Sequence, residues 1–207
     1  MSLDKQRWKN LIKIISGKYP DDDTFTSLID AYSQSHRYYH NATHVENCLI
    51  EFDISSMLAG HPDEVELAIW LHDLFYDPKA KDNEEKSASF ASSLLAESGC
   101  NYDICNRVKA LILATMHNCV PESADAELLV DIDLSILGQQ PEIYDIYEKN
   151  IRAEYSWVPI EAYIEGRTKV LQSFLDQPRI YLTDIFEKKY EKQARLNMGR
   201  AILNLKK

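Results

Sequence analysis

The chain has 207 residues, 45% of them hydrophobic, enough to bury a substantial core within one domain. Twenty-three Lys and Arg against thirty-three Asp and Glu give a formal net charge of −10, which repels a phosphate backbone and points away from general nucleic-acid binding. No stretch approaches the roughly 18 uninterrupted apolar residues of a membrane span, and the N-terminus has no apolar core of signal-peptide type. Apolar residues recur at i, i+3 and i+4, and Gly and Pro fall between the periodic segments, so the fold class is expected to be all-α. In chain order, helices are expected over about 3–15, 22–33, 42–58, 62–76, 83–97, 102–116, 126–137, 141–154, 159–175 and 182–205. Cys48, Cys100, Cys105 and Cys119 contain no Cys-x-x-Cys pair and read as reduced thiols of a cytoplasmic protein.

Three segments place polar residues where the helical pattern asks for apolar ones. In "AIWLHDLFYDP", a wheel over 65–76 sets His72 among Val65, Ala68, Ile69 and Tyr76, with Asp73 one position round. A carboxylate in such surroundings is costly unless paired, protonated or metal-bound. In "ELLVDIDLSILG", the two aspartates are about 200° apart on a helix. Asp131 groups with Glu127 and Ser135 and reads as a solvated surface acid, whereas Asp133 is aimed among Leu129, Val130, Ile136 and Leu137. In "RYYHNATHVENC", His40 and His44 share a helix face with Cys48. Together these segments supply His44, His72, Asp73 and Asp133 from three helices, a nitrogen and oxygen donor set suited to a borderline or hard divalent ion.

With those residues in view, the chain resembles the HD-domain superfamily of metal-dependent phosphohydrolases, whose signature is a histidine, a His-Asp doublet and a distant aspartate. The segments "YYHNATHVENCL", "AIWLHDLFYDP", "DNEEKSA", "DIDLSILG", "IRAEYSWVP" and "GRTKVLQSFL" are similar to a bacterial subgroup of predicted HD phosphohydrolases that lack an assigned substrate. The resemblance implies a single HD-type helical bundle over 1–207, with a metal-site core at about 37–140 and C-terminal helices at about 141–207. It implies one divalent ion, drawn from manganese, cobalt, nickel, magnesium, zinc and iron, held by His44, His72, Asp73 and Asp133. A second ion would call on His117 or His40, although an apolar face through Ala110, Leu113 and Ala114 also suits His117 as a core histidine.

The implied activity is hydrolysis of a small phosphorylated molecule, a nucleotide or phosphate ester, with Asp73 at the metal and positive groups offsetting the phosphate. Arg152 and Arg167 are the preferred cations, with Arg37 and Lys169 as further substrate-binding candidates. Some members carry a glutamate four residues after the doublet's histidine as general acid. Here Tyr76 stands there, leaving Asp77, Glu84 and Glu85 as substitutes. Two other readings stand beside hydrolysis: a nucleotide-sensing module without turnover, and a di-iron oxygenase. Oligomeric state is left open.

Overall fold

The structure is a computed structural model and describes residues 3–118 and 120–206. It is all-α, with no strand among the described residues, and it divides into two compact units, Met1–Ile132 and Asp133–Lys207. No helix among the described residues is long and apolar enough to cross a membrane.

The first unit contains α1 (Lys5–Ser16), α2 (Asp22–Tyr32), α3 (Ala42–Ser55), α4 (Pro62–Leu71), α5 (Asn83–Glu97), α6 (Tyr102–Ala114) and all but the last residue of α7 (Ala124–Asp133). Local chemistry starts these helices. Asp4, Asp21, Asn41 and Asn101 accept backbone amides of the first turns of α1, α2, α3 and α6, and Pro62 opens α4 where its missing N–H costs nothing. Gly17 closes α1 at φ 75°, a left-handed position that suits glycine.

Helix α4 is the centre of this unit. Val65, Leu67, Ala68, Ile69, Trp70 and Leu71 are all fully buried, and a helix that is apolar all round must be covered all round. Its neighbours are α1, α3, α5 and α6. Trp8 of α1 meets Trp70 edge-on at 5.5 Å, and Arg107 of α6 grips Glu64 through two hydrogen bonds of 2.6 and 2.8 Å.

The helix expected over 62–76 stops at Leu71. The N–H of His72 still donates to Ala68, but that of Leu74 turns to Leu71, and that of Phe75 donates to the Ser87 hydroxyl of α5. Arg37 captures the carbonyls of Asp73 and Leu74 at 2.6 and 2.7 Å. The backbone groups that would have extended α4 are thus claimed by side chains remote in sequence. Two further helices are shorter than expected for a gentler reason: 42–58 and 126–137 each finish in a 3-10 turn, Ser56–Leu58 and Leu134–Gly138.

In the second unit, Leu134–Gly138 leads to α8 (Pro141–Glu154), α9 (Ile160–Leu175) and α10 (Asp184–Leu205). Tyr144, Tyr181, Phe186, Ala194 and Met198 form its interior. Buried Asn197 donates to the carbonyls of Leu137 and Gln139, and Tyr181 donates to that of Leu134, so α10 and its approach satisfy carbonyls in and just after the 3-10 turn. Gly138 has a second duty: a Cβ there would lie 2.5 Å from the Tyr190 Cβ.

Candidate metal centre

Three helix ends present the ligand-type side chains. His44 lies in the first turn of α3, behind the Asn41 cap. His72 caps the C-terminal end of α4 and Asp73 follows it, at the pole of a helix that favours a cation. Asp133 is the last residue of α7 and is fixed by the continuity of that helix.

His44 and His72 are buried, with relative exposures of 4% and 2%. The His44 Nε2 lies 3.1 Å from the His72 Nε2 and 3.5 Å from the Asp73 Oδ2, and the His72 Nε2 lies 3.1 Å from that same oxygen. The ligand atoms of His44, His72 and Asp133 all fall within 4.8 Å of one another. Two donors held at about 2.0–2.2 Å from a common ion are roughly 2.8–3.6 Å apart in tetrahedral or octahedral arrangements. The three short separations have that spacing, so these residues fit a single divalent ion.

The tautomer of His72 agrees. Its Nδ1 lies 2.9 Å from the Ile69 carbonyl oxygen, which only accepts, so Nδ1 carries the proton and Nε2 turns a lone pair toward His44 and Asp73. Cys48, one turn along α3, places its Sγ 3.8 Å from each ring nitrogen of His44. Burial works against the charge of Asp73, but the positive charge that His72, His40 and His44 carry when protonated more than offsets it and holds its carboxyl well below the usual range.

An aromatic layer adjoins the histidines. The His40 ring stacks on Tyr76 at 4.2 Å, His36 lies parallel to the same ring at 6.3 Å, and Tyr39 packs on both His40 and His44. Tyr76, at the position where an acid was expected, is therefore an aromatic support for His40.

The other sequence candidates are placed as follows. Arg37 is buried and donates to the carbonyls of His40, Asp73 and Leu74, bracing the turn that carries the doublet. Arg167 is paired with Glu148 and donates to the Tyr147 hydroxyl. Arg152 donates to the carbonyls of Tyr155 and Val158 beyond the end of α8 and lies over the Tyr163 ring. Lys169 is exposed and pairs with Glu165 one turn away. Asp77 is exposed and accepts the Lys79 amide. Glu85 is exposed, whereas Glu84 is half-buried in the first turn of α5. Burial, followed by the charges of Asp73 and Glu85, raises the Glu84 carboxyl above its ordinary value, and His117 works the other way.

Two expectations are corrected. His117 is exposed rather than a core residue, and sits at φ 53° because α6 ends at Ala114 and its apolar face does not continue to 117. Asp131 is fully buried rather than solvated, since Leu128, Leu129, Val130 and Ile132 show that α7 has no open face at this point. The sequence cue was present in "LLVDIDLSIL", which offers no polar stripe wide enough to face water. Cys48, Cys100 and Cys105 form no disulfide among the described residues, and Cys119 lies outside them.

Comparisons with protein-family models, with curated proteins and with solved structures found no match to this chain.

Proposed function

We propose that this chain is a metal-dependent phosphohydrolase of HD type, acting on a small phosphorylated molecule such as a nucleotide or phosphate ester. The observation that carries the proposal is the convergence of two buried imidazole nitrogens and the Asp73 carboxylate at 3.1–3.5 Å, with an Asp133 oxygen within 4.8 Å of the histidine nitrogens. A His, His-Asp, Asp order in sequence and a nitrogen and oxygen donor set in space are what the resemblance asks for.

His44, His72, Asp73 and Asp133 would hold a divalent ion, which would supply Lewis acidity toward a phosphoryl oxygen and a more acidic water. The Ile69 carbonyl keeps a proton on the His72 Nδ1, on the far side of its ring, and leaves Nε2 directed at His44 and Asp73. Arg37 fixes the doublet by holding the carbonyls on its C-terminal side, and adds a positive charge close to the site. We assign Glu84 to protonating the leaving oxygen: it is half-buried, and burial together with the nearby Asp73 charge raises its carboxyl above the ordinary value. Arg152, Arg167 and Lys169 enter as candidate anion contacts.

The test is a screen of phosphorylated metabolites with manganese, cobalt, nickel or magnesium added. Release of inorganic phosphate by the native protein, and its loss in Asp133→Ala, supports the reading. Thermal stabilisation by nucleotides with no phosphate release in any metal contradicts it in favour of a sensing module.

A further inference from the structure

The two helices that end at the metal centre also begin together. Asp125, in the first turn of α7, accepts the Gly60 amide at 2.6 Å and the His61 amide at 3.0 Å, and its Oδ2 lies 3.0 Å from the His61 Nδ1. A carboxylate only accepts, so the His61 proton on Nδ1 makes a third bond to it. Gly60 and His61 lead directly into Pro62, the first residue of α4. Helix α7 has a cap of its own at this end, because the Ser123 hydroxyl accepts the Ala126 amide. Helix α4 has no side-chain cap of its own. The Asp125 carboxylate is thus spent on tying α7 to the start of α4, and its side chain is only 12% exposed, which strengthens bonds of this charge-assisted kind.

At their far ends the same two helices carry His72 and Asp133, whose ligand atoms lie within 4.8 Å of each other. At about 1.5 Å per residue the path from the clasp to the metal centre is roughly 12 Å along α7 and 15 Å along α4. Helices joined at both ends run side by side, and over so short a length each passes an axial shift at one end to the other. Leu128, Leu129 and Ile132 bury the intervening part of α7, but apolar packing is non-directional, whereas three hydrogen bonds at Asp125 set an axial position. Arg37 braces the turn after α4, on the His72 side of the site. Asp125 does the corresponding work for α7, on the Asp133 side.

We propose that Asp125 is a positioning residue of the metal centre. By tying the start of α7 to the start of α4 it sets how far the Asp133 carboxylate reaches toward His72, and through that the affinity and coordination geometry of the ion. The proposal rests on the metal centre put forward above.

The experiment is a cobalt titration of the full chain, with the visible absorption bands of bound cobalt recorded beside its affinity and circular dichroism confirming the fold. Asp125→Ala removes all three bonds and should weaken cobalt by about tenfold, the lower end of the effect of losing a group that orients a ligand, and should shift the visible bands. His61→Ala removes one bond and leaves both amides held, so its loss should be smaller. Asn101→Ala, which removes the cap of α6 and lowers stability by another route, should leave affinity and bands unchanged. The Asp133→Asn background separates a positioning role from a general one: because Asp125 acts through Asp133, Asp125→Ala should weaken cobalt no further there. Asp125→Asn serves the same comparisons where the alanine variant does not fold, since its amide group opposes one of the held N–H groups. Native affinity and bands in a folded Asp125 variant, an equal loss in Asn101→Ala, or a tenfold loss that persists in the Asp133→Asn background overturns the proposal while leaving the metal centre standing. A native chain that binds no cobalt overturns the metal centre and this proposal with it.

Discussion

Arg37 offers the sharpest single perturbation of the doublet turn. Its guanidinium is 6% exposed and donates to the Asp73 carbonyl at 2.6 Å and the Leu74 carbonyl at 2.7 Å from two different nitrogens, with the His40 carbonyl at 3.1 Å. Arg37→Lys keeps the charge but replaces a rigid fork by a single nitrogen, which cannot reproduce the two separately placed donors that meet the two close carbonyls. A hydrogen bond from a charged donor contributes about 1.5–3 kcal/mol, and that is the expected loss in urea unfolding. Because the two carbonyls follow directly on His72, the same substitution should weaken binding of manganese or cobalt by about 10–100-fold, the usual effect of removing a group that orients a ligand. Arg37→Met removes all these donors and should cost more than the lysine variant on both measures. Calorimetric titration of the metal, set beside the urea midpoint, reads both effects. Native stability and native metal affinity in Arg37→Lys would refute the argument that the fork holds the turn in place.

Three further outcomes follow from other parts of the molecule. Arg167→Ala leaves the Glu148 carboxylate poorly exposed and without its guanidinium, so unfolding should cost about 3–5 kcal/mol less, and Arg167→Met with Glu148→Leu should recover most of that loss in urea melts. Gly138→Ala forces a methyl to 2.5 Å from the Tyr190 Cβ and to 2.8 Å from its carbonyl oxygen, and should lower stability by about 1–3 kcal/mol or more, read as a fall in Tm. Glu84 has a folded-state pKa raised by burial, so its neutral form is favoured in the fold. Its contribution is fully present below the ordinary carboxyl range and is lost as pH rises through the raised value. Glu84→Gln should therefore flatten the decline of stability above that range and lower turnover, while an unchanged stability profile would contradict the assigned environment.

Much of the fold was legible in the sequence because its punctuation is local. Pro141 and the acids after Asp82 mark helix starts that the structure keeps, and the expected spans 83–97 and 141–154 coincide with α5 and α8. What could not be read was set by partners far along the chain. The end of α4 is fixed by Arg37 and Ser87, 36 residues before Asp73 and 12 after Phe75, and no pattern within 62–76 announces it. The burial of Asp131 was misjudged for a related reason: a helical wheel assumes one open face, and α7 has none at that point. The candidate metal centre was the more legible part, since imidazoles and acids in apolar segments are costly unless paired, protonated or metal-bound. His72, Asp73 and Asp133 stand out by that criterion, and His44 by the face it shares with His40 and Cys48. The role of Arg37 was not legible, because an arginine beside a histidine looks the same whether it contacts a phosphate or two backbone carbonyls.

The central claim is that His44, His72, Asp73 and Asp133 hold one divalent ion. Elemental analysis of the purified chain after loading with manganese or cobalt and removal of excess metal tests it most directly, with His72→Ala and Asp133→Asn treated in parallel. The account predicts one ion per native chain and a loss of at least about tenfold in affinity in each variant, with circular dichroism showing that both variants keep their helices. A native chain that retains no ion, or variants that retain it undiminished, would contradict it.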